Sequence, residues 1–158
     1  MRELILLRHA HAETASTGQA DLDRPLSPVG LAEAEAAGRW LKENNLLPDC
    51  VLCSPSRRTR ETLEAVLGIT GFVEKRLEDA VYEATPGTLM GLIDARRDVD
   101  RLLVVGHNPG LEQLVALMSE GTSSDYRGMP PGGIAVLAFD REAAIEPGVA
   151  SLTAFWWP

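Results

Sequence analysis

Short, continuous apolar runs alternate along this chain with stretches of helical spacing. Leu4-Ile5-Leu6-Leu7, Cys50-Val51-Leu52-Cys53 and Leu102-Leu103-Val104-Val105 contain no charged residue. That is the pattern of parallel strands buried on both faces. The strands predicted in this way are 3–7, 49–53, 71–75, 101–106, 133–139 and 150–156. The clearest helix opens at Ser27-Pro28, an N-cap followed by proline at the first helical position. It carries Leu31, Ala34, Gly38 and Leu41 on one stripe and stops at Asn44-Asn45. A second helix starts near Ser54-Pro55, and a third runs from Pro86 to about Ala95. A fourth follows Pro109-Gly110 through Leu111, Leu114, Val115 and Met118. Strands that alternate with helices imply right-handed βαβ units, hence an α/β fold with a mostly parallel central sheet flanked by helices. The segment 120–132, rich in Gly, Ser and Pro, reads as a long loop of the kind that often carries function.

Length and charge narrow the function classes. The 158 residues fit one domain spanning 1–158. A net charge of −8 argues against nucleic acid as the main partner, since phosphate backbones call for a basic face. No run approaches the roughly 20 apolar residues of a membrane span, so no membrane partner is expected. The apolar stretch before Arg8 is too short for a signal-peptide core of roughly 7–15 residues, and a cytoplasmic location is expected. Cys50 and Cys53 lie three apart on a strand, which points them to opposite faces and makes them two buried thiols rather than a metal or redox pair.

The ends of the strands carry the candidate chemistry. In open α/β sheets, ligands bind just beyond the carboxyl ends of the strands. There the sequence places Arg8-His9, the stretch Ser54 to Arg58, and Gly106-His107. Two arginines and two histidines at one such crevice suit a doubly negative phosphoryl group. The second helix begins in the same place and would add free backbone N–H groups. Arg57 and Arg60 have Glu61 and Glu64 four residues on and read as a solvated face. Arg58 has Thr62 there and is freest to serve the crevice.

These stretches resemble the histidine phosphatase superfamily and, within it, the short SixA-like phosphohistidine phosphatases. The resemblance is carried by residues 7–13 around Arg8-His9-Ala10, by Arg24 to Gly30, by Ser54 to Thr62, by Val105 to Pro109 and by Pro130 to Leu137. It implies a phosphoglycerate mutase-like three-layer fold without a large cap insertion. It further implies that His9 is the nucleophile taking the phosphoryl group, that Arg8 and Arg58 bind its oxygens, and that His107 completes the pocket. No metal or cofactor is implied. The expected partner is a phosphorylated protein, such as a histidine phosphotransfer domain, or a small phosphorylated substrate. The alternatives are a phosphatase of small phosphate esters and a non-catalytic phosphate-binding module. Ala10 replaces the signature glycine, and Pro131 stands where relatives commonly have a hydroxyl residue.

A general acid is less visible, with Asp79 and Glu83 as candidates. Imidazole is a better leaving group than an alkoxide, so a site without a firm acid favours P–N substrates or activated esters. His11 reads as a loop residue. Trp156-Trp157 reads as a closing edge strand or a dimer contact, with one ring buried and the other exposed.

Overall fold

The computed structural model describes residues 1–123 and 128–158. Six strands form one sheet: β1 (Arg2–Arg8), β2 (Cys50–Cys53), β3 (Glu74–Leu77), β4 (Arg101–Gly106), β5 (Ile134–Phe139) and β6 (Ser151–Trp156). Their spatial order is β3-β2-β4-β1-β5-β6. The first four strands in that order are mutually parallel, and β5 and β6 add an antiparallel edge beside β1. The sheet is thus mostly parallel, as the apolar runs imply. Among the described residues four α-helices cover it: α1 (Pro28–Glu43), α2 (Arg57–Thr70), α3 (Pro86–Asp94) and α4 (Gly110–Glu120).

Alternation along β1 divides the core. Leu4 and Leu6 pack with Leu89, Ile93, Leu111 and Leu114 of α3 and α4. Ile5 and Leu7 pack with Ala37, Leu41, Leu63 and Val66 of α1 and α2. All four β1 side chains are fully buried, each worth about 1.5–3 kcal/mol of apolar transfer. Cys50 falls in the first core and Cys53 in the second, so the two thiols face opposite sides of the sheet.

Helix starts follow their caps. Ser27 Oγ accepts from Gly30 N at 3.0 Å, and Ser56 Oγ accepts from Thr59 N at 3.3 Å. The second helix therefore begins two residues beyond the Ser54-Pro55 signal. The third strand is Glu74–Leu77 rather than 71–75. Gly71 ends α2, and Phe72 is almost fully exposed. All four β3 residues are exposed, and the strand is held by pairing to β2 rather than by burial. In the long loop predicted at 120–132, Ser124 lies outside the described residues.

Gly30 fixes how the chain after β1 crosses the start of α1. A Cβ at this position would lie 1.9 Å from the His11 carbonyl oxygen, with backbone on both sides and nothing able to yield. Gly30→Ala is therefore expected to cost about 3 kcal/mol, at the upper end for overpacking. Urea unfolding of the two proteins would measure it.

Candidate active site

Three neighbouring parallel strands end at one cleft. β1 delivers Arg8 and then His9, whose backbone N donates to Gly106 O of β4 at 3.0 Å. β4 runs directly into His107. β2 leads into Ser54, whose N donates to Val105 O at 3.1 Å, and on to Arg58 in the first turn of α2. Ala10 is fully buried, and its N donates to Thr62 Oγ1 on α2 at 3.1 Å. The cleft has a volume of about 490 Å³, and Arg8, His9, Arg58 and His107 all line it, with Asp21, Arg24, Tyr82 and Glu83. A larger groove of about 920 Å³ between α1 and α2 contains none of these groups.

The tautomer of each imidazole follows from its partners. His9 Nδ1 lies 2.7 Å from Ala10 O. A carbonyl can only accept, so Nδ1 carries the proton and Nε2 keeps its lone pair. Burial, joined by the nearby Arg58 and Arg8 charges, lowers the His9 pKa to about 4. His107 Nδ1 lies 3.4 Å from an Arg58 terminal nitrogen, which can only donate. Its Nε2 therefore holds the proton and donates to Ser54 Oγ at 2.8 Å. Burial, then His9 and Arg58, bring the His107 pKa to about 3. Both rings are neutral at pH 7, with centroids 5.3 Å apart.

The two arginines are held from behind. Arg8 Nη1 donates to Met129 O at 2.8 Å, and Asn108 Nδ2 donates to the same carbonyl at 2.9 Å. The described part of the long loop thus fastens to the site. Arg58, only 6% exposed, donates Nη1 to the Asp21 carbonyl at 2.8 Å and Nη2 to Asp21 Oδ2 at 3.0 Å. Among the described residues, Arg8 Nε and Arg58 Nε are buried donors without a partner. Arg2 and Arg96, which do not line the cleft, each have such a donor as well.

Other candidates sort by position. Glu83 borders the cleft with a left-handed backbone, φ 57°, while Asp79 is exposed and is not part of its wall. Arg57 pairs with Glu61 at 3.1 Å, whereas Arg60 donates to the Pro55 carbonyl at 3.0 Å. Exposed His11 is fastened to the N-cap of α1 by a 2.7 Å contact between its Nδ1 and Ser27 Oγ. At the far edge, Trp156 stacks on Trp40 at 5.6 Å, and Trp157 is 55% exposed.

Sequence reasoning assigned no role to Asp21, Arg24 or Tyr82. Asp21 Oδ1 accepts from Arg24 at 2.9 Å, and Asp21 Oδ2 accepts from Tyr82 OH at 2.5 Å. Tyr82, Arg24 and Arg58 together hold the Asp21 carboxyl well below the usual carboxylate range. Arg24 opens one of the stretches that carry the family resemblance, and no such signal marks Asp21.

A family model described as histidine phosphatase superfamily (branch 1) matches residues 4–99, a stretch holding Arg8, His9 and Arg58. The chain belongs to the histidine phosphatase superfamily. An uncharacterized Mycobacterium tuberculosis protein is 40% identical, over 94% of this histidine phosphatase chain and 98% of its own length. A crystal structure from Agrobacterium tumefaciens, named for the phosphohistidine phosphatase SixA, superposes with a TM-score of 0.85. It has 32% identity and covers 99% of this chain and 98% of that one. A 2,3-bisphosphoglycerate-dependent phosphoglycerate mutase of Beijerinckia indica is 37% identical, over only 58% of this chain and 46% of its own. The chain thus matches the SixA-like branch end to end and the mutases only in part.

Proposed function

We propose that this histidine phosphatase removes phosphate from a protein phosphohistidine, with His9 as nucleophile and no metal. One observation carries the reading: a neutral imidazole that keeps its Nε2 lone pair lines the same cleft as Arg8 and Arg58. Phosphoryl transfer needs mainly positioning and charge stabilisation on the equatorial oxygens, which arginines supply. His9 Nε2 forms a bond to phosphorus as the bond to the substrate imidazole nitrogen breaks. The leaving imidazole keeps the electron pair and takes up a proton from solvent water. Water then attacks phospho-His9, releasing phosphate and restoring the free imidazole. His107 and Arg58 border the transferring group. Support for a phosphohistidine substrate comes from the end-to-end likeness to the SixA structure. The partner on this reading is a phosphorylated protein such as a histidine phosphotransfer domain, and residues 1–158 form one domain without a large cap insertion.

The second reading, a phosphatase of small esters, draws on Glu83 at the cleft wall, where a carboxylic acid could protonate an alkoxide. Metal-free protein mixed with a phosphohistidine-bearing phosphotransfer domain and, separately, with an aryl phosphate separates the two. Fast release from the phosphoprotein, through acid-labile phosphate on the enzyme and unchanged in Glu83→Gln, is the expected result. Release from the ester alone, lost in Glu83→Gln, would establish the second reading.

The pH profile gives an independent check. Attack requires neutral His9, and the depressed pKa keeps it neutral well below the ordinary imidazole value of about 6.5. Corrected for substrate ionisation, kcat/KM is expected to stay level from pH 8 to 5 and to fall only as pH approaches 4. A fall centred near 6.5 would contradict this picture of the site.

A further inference from the structure

Four side chains close a ring of contacts around one wall of the cleft. Arg58 Nη2 lies 3.4 Å from His107 Nδ1 and 3.0 Å from Asp21 Oδ2. Asp21 Oδ2 also accepts from Tyr82 OH, and the Tyr82 ring meets the His107 ring edge-on, with centroids 5.5 Å apart at 86°. The Asp21 main chain adds a second grip, since its carbonyl accepts from Arg58 Nη1 at 2.8 Å. One residue thus holds both terminal nitrogens of a buried guanidinium, and its remaining carboxylate oxygen holds Arg24.

We propose that Asp21 is a positioning residue: it fixes Arg58 against His107 and draws Arg24 to the same cleft, with Tyr82 locking the carboxylate in place. The proposal rests on the phosphatase reading above and identifies what orients its phosphate-binding arginine. Asp21 sits in a short 3₁₀ turn, Asp21–Asp23, in the connection between β1 and α1. The orientation of Arg58 is therefore set by a different segment from the helix that carries it. A carboxylate in a phosphate cleft is electrostatically unfavourable by itself, because it repels the incoming dianion. Its place here makes sense if the geometry it imposes on Arg58 outweighs that repulsion.

The two effects have opposite signs, and this makes the proposal testable. Deleting the charge alone tightens oxyanion binding. Releasing Arg58 weakens binding and slows turnover, because misplacement by about 1 Å can cost 10²-fold. Orthovanadate affinity would be measured by calorimetry, with kcat and KM for the phosphoprotein and the aryl phosphate, in wild type, Asp21→Ala, Asp21→Asn and Tyr82→Phe. Expected is about tenfold weaker vanadate binding and a kcat loss of about 10–100-fold in Asp21→Ala. Asp21→Asn, which keeps an acceptor for Arg58 without the charge, recovers part of both, and Tyr82→Phe shows a smaller loss of the same kind.

Tighter vanadate binding with kcat unchanged in Asp21→Ala would overturn the proposal and make Asp21 a competing anion. A lower melting temperature with unchanged Kd, kcat and KM would overturn it too, leaving Asp21 a structural tether. If Asp21→Ala does not fold, Asp21→Asn and Tyr82→Phe decide by the same signs. A wild type that binds vanadate but releases no phosphate from either substrate would overturn the phosphatase reading, and the Asp21 proposal would still stand or fall on Kd. A wild type that binds no vanadate overturns both.

Discussion

His9→Ala is expected to lose at least about 10⁴-fold of phosphate release, the scale seen when a covalent nucleophile is removed. It should also leave no acid-labile phosphate on the protein. The fold should survive. The His9 backbone bond to Gly106 O does not depend on the side chain, and the ring's own hydrogen bond is to the neighbouring Ala10 carbonyl. Circular dichroism and thermal unfolding of the variant provide that control. Vanadate binding should fall much less than turnover, because Arg8 and Arg58 remain. Near-wild-type release from a folded His9→Ala protein would eliminate the nucleophilic mechanism, and both arginines would then need another partner.

Arg58→Ala is expected to lower kcat by about 10²–10³, the usual consequence of removing one donor aimed at transition-state charge. Arg58→Lys should recover little of it. Arg58 reaches the Asp21 carbonyl, the Asp21 carboxylate and His107 with two terminal nitrogens, and its buried Nε stays without a partner. An ammonium group is a single point charge and cannot reproduce that fork. Steady-state rates on both substrates would measure the effect. A loss of only a few-fold in Arg58→Ala would take the residue out of the reaction, whatever its place in the cleft.

Much of this architecture can be read from apolar patterning, because strands buried on both faces carry short, continuous apolar runs. β1, β2 and β4 show this, and their ends locate the cleft. The caps at Ser27 and Ser56 set the helix starts for an equally local reason. β3 breaks the rule: Glu74 to Leu77 are all exposed, so pairing to β2 holds them and no apolar run marks the strand. An apolar reading is drawn instead to Phe72 and Val73 on its N-terminal side.

The cleft divides in the same way. Arg8, His9, Arg58 and His107 stand at positions that strand ends and a helix start make special, and the structure brings all four together. Asp21, Arg24 and Tyr82 come from irregular segments whose contacts exist only in three dimensions. Nothing periodic marks them. Between the two carboxylates weighed as acids, only position in space decides: Glu83 borders the cleft and Asp79 does not.

The placing of β1 has a consequence for biosynthesis. Both of its neighbours come from late in the chain: Leu4 pairs with Leu102 on one side and with Leu137 on the other. Pairings this distant in sequence form slowly, because a long loop must close before any contact compensates. At roughly 5–20 residues per second of translation, β5 emerges on the order of ten seconds after β1. Until β4 has emerged, Leu4 to Leu7 have neither of their neighbouring strands to pair with, and their apolar side chains stay exposed. His9 is made long before His107, and it reaches its place beside that ring only after β4 has followed it out of the ribosome.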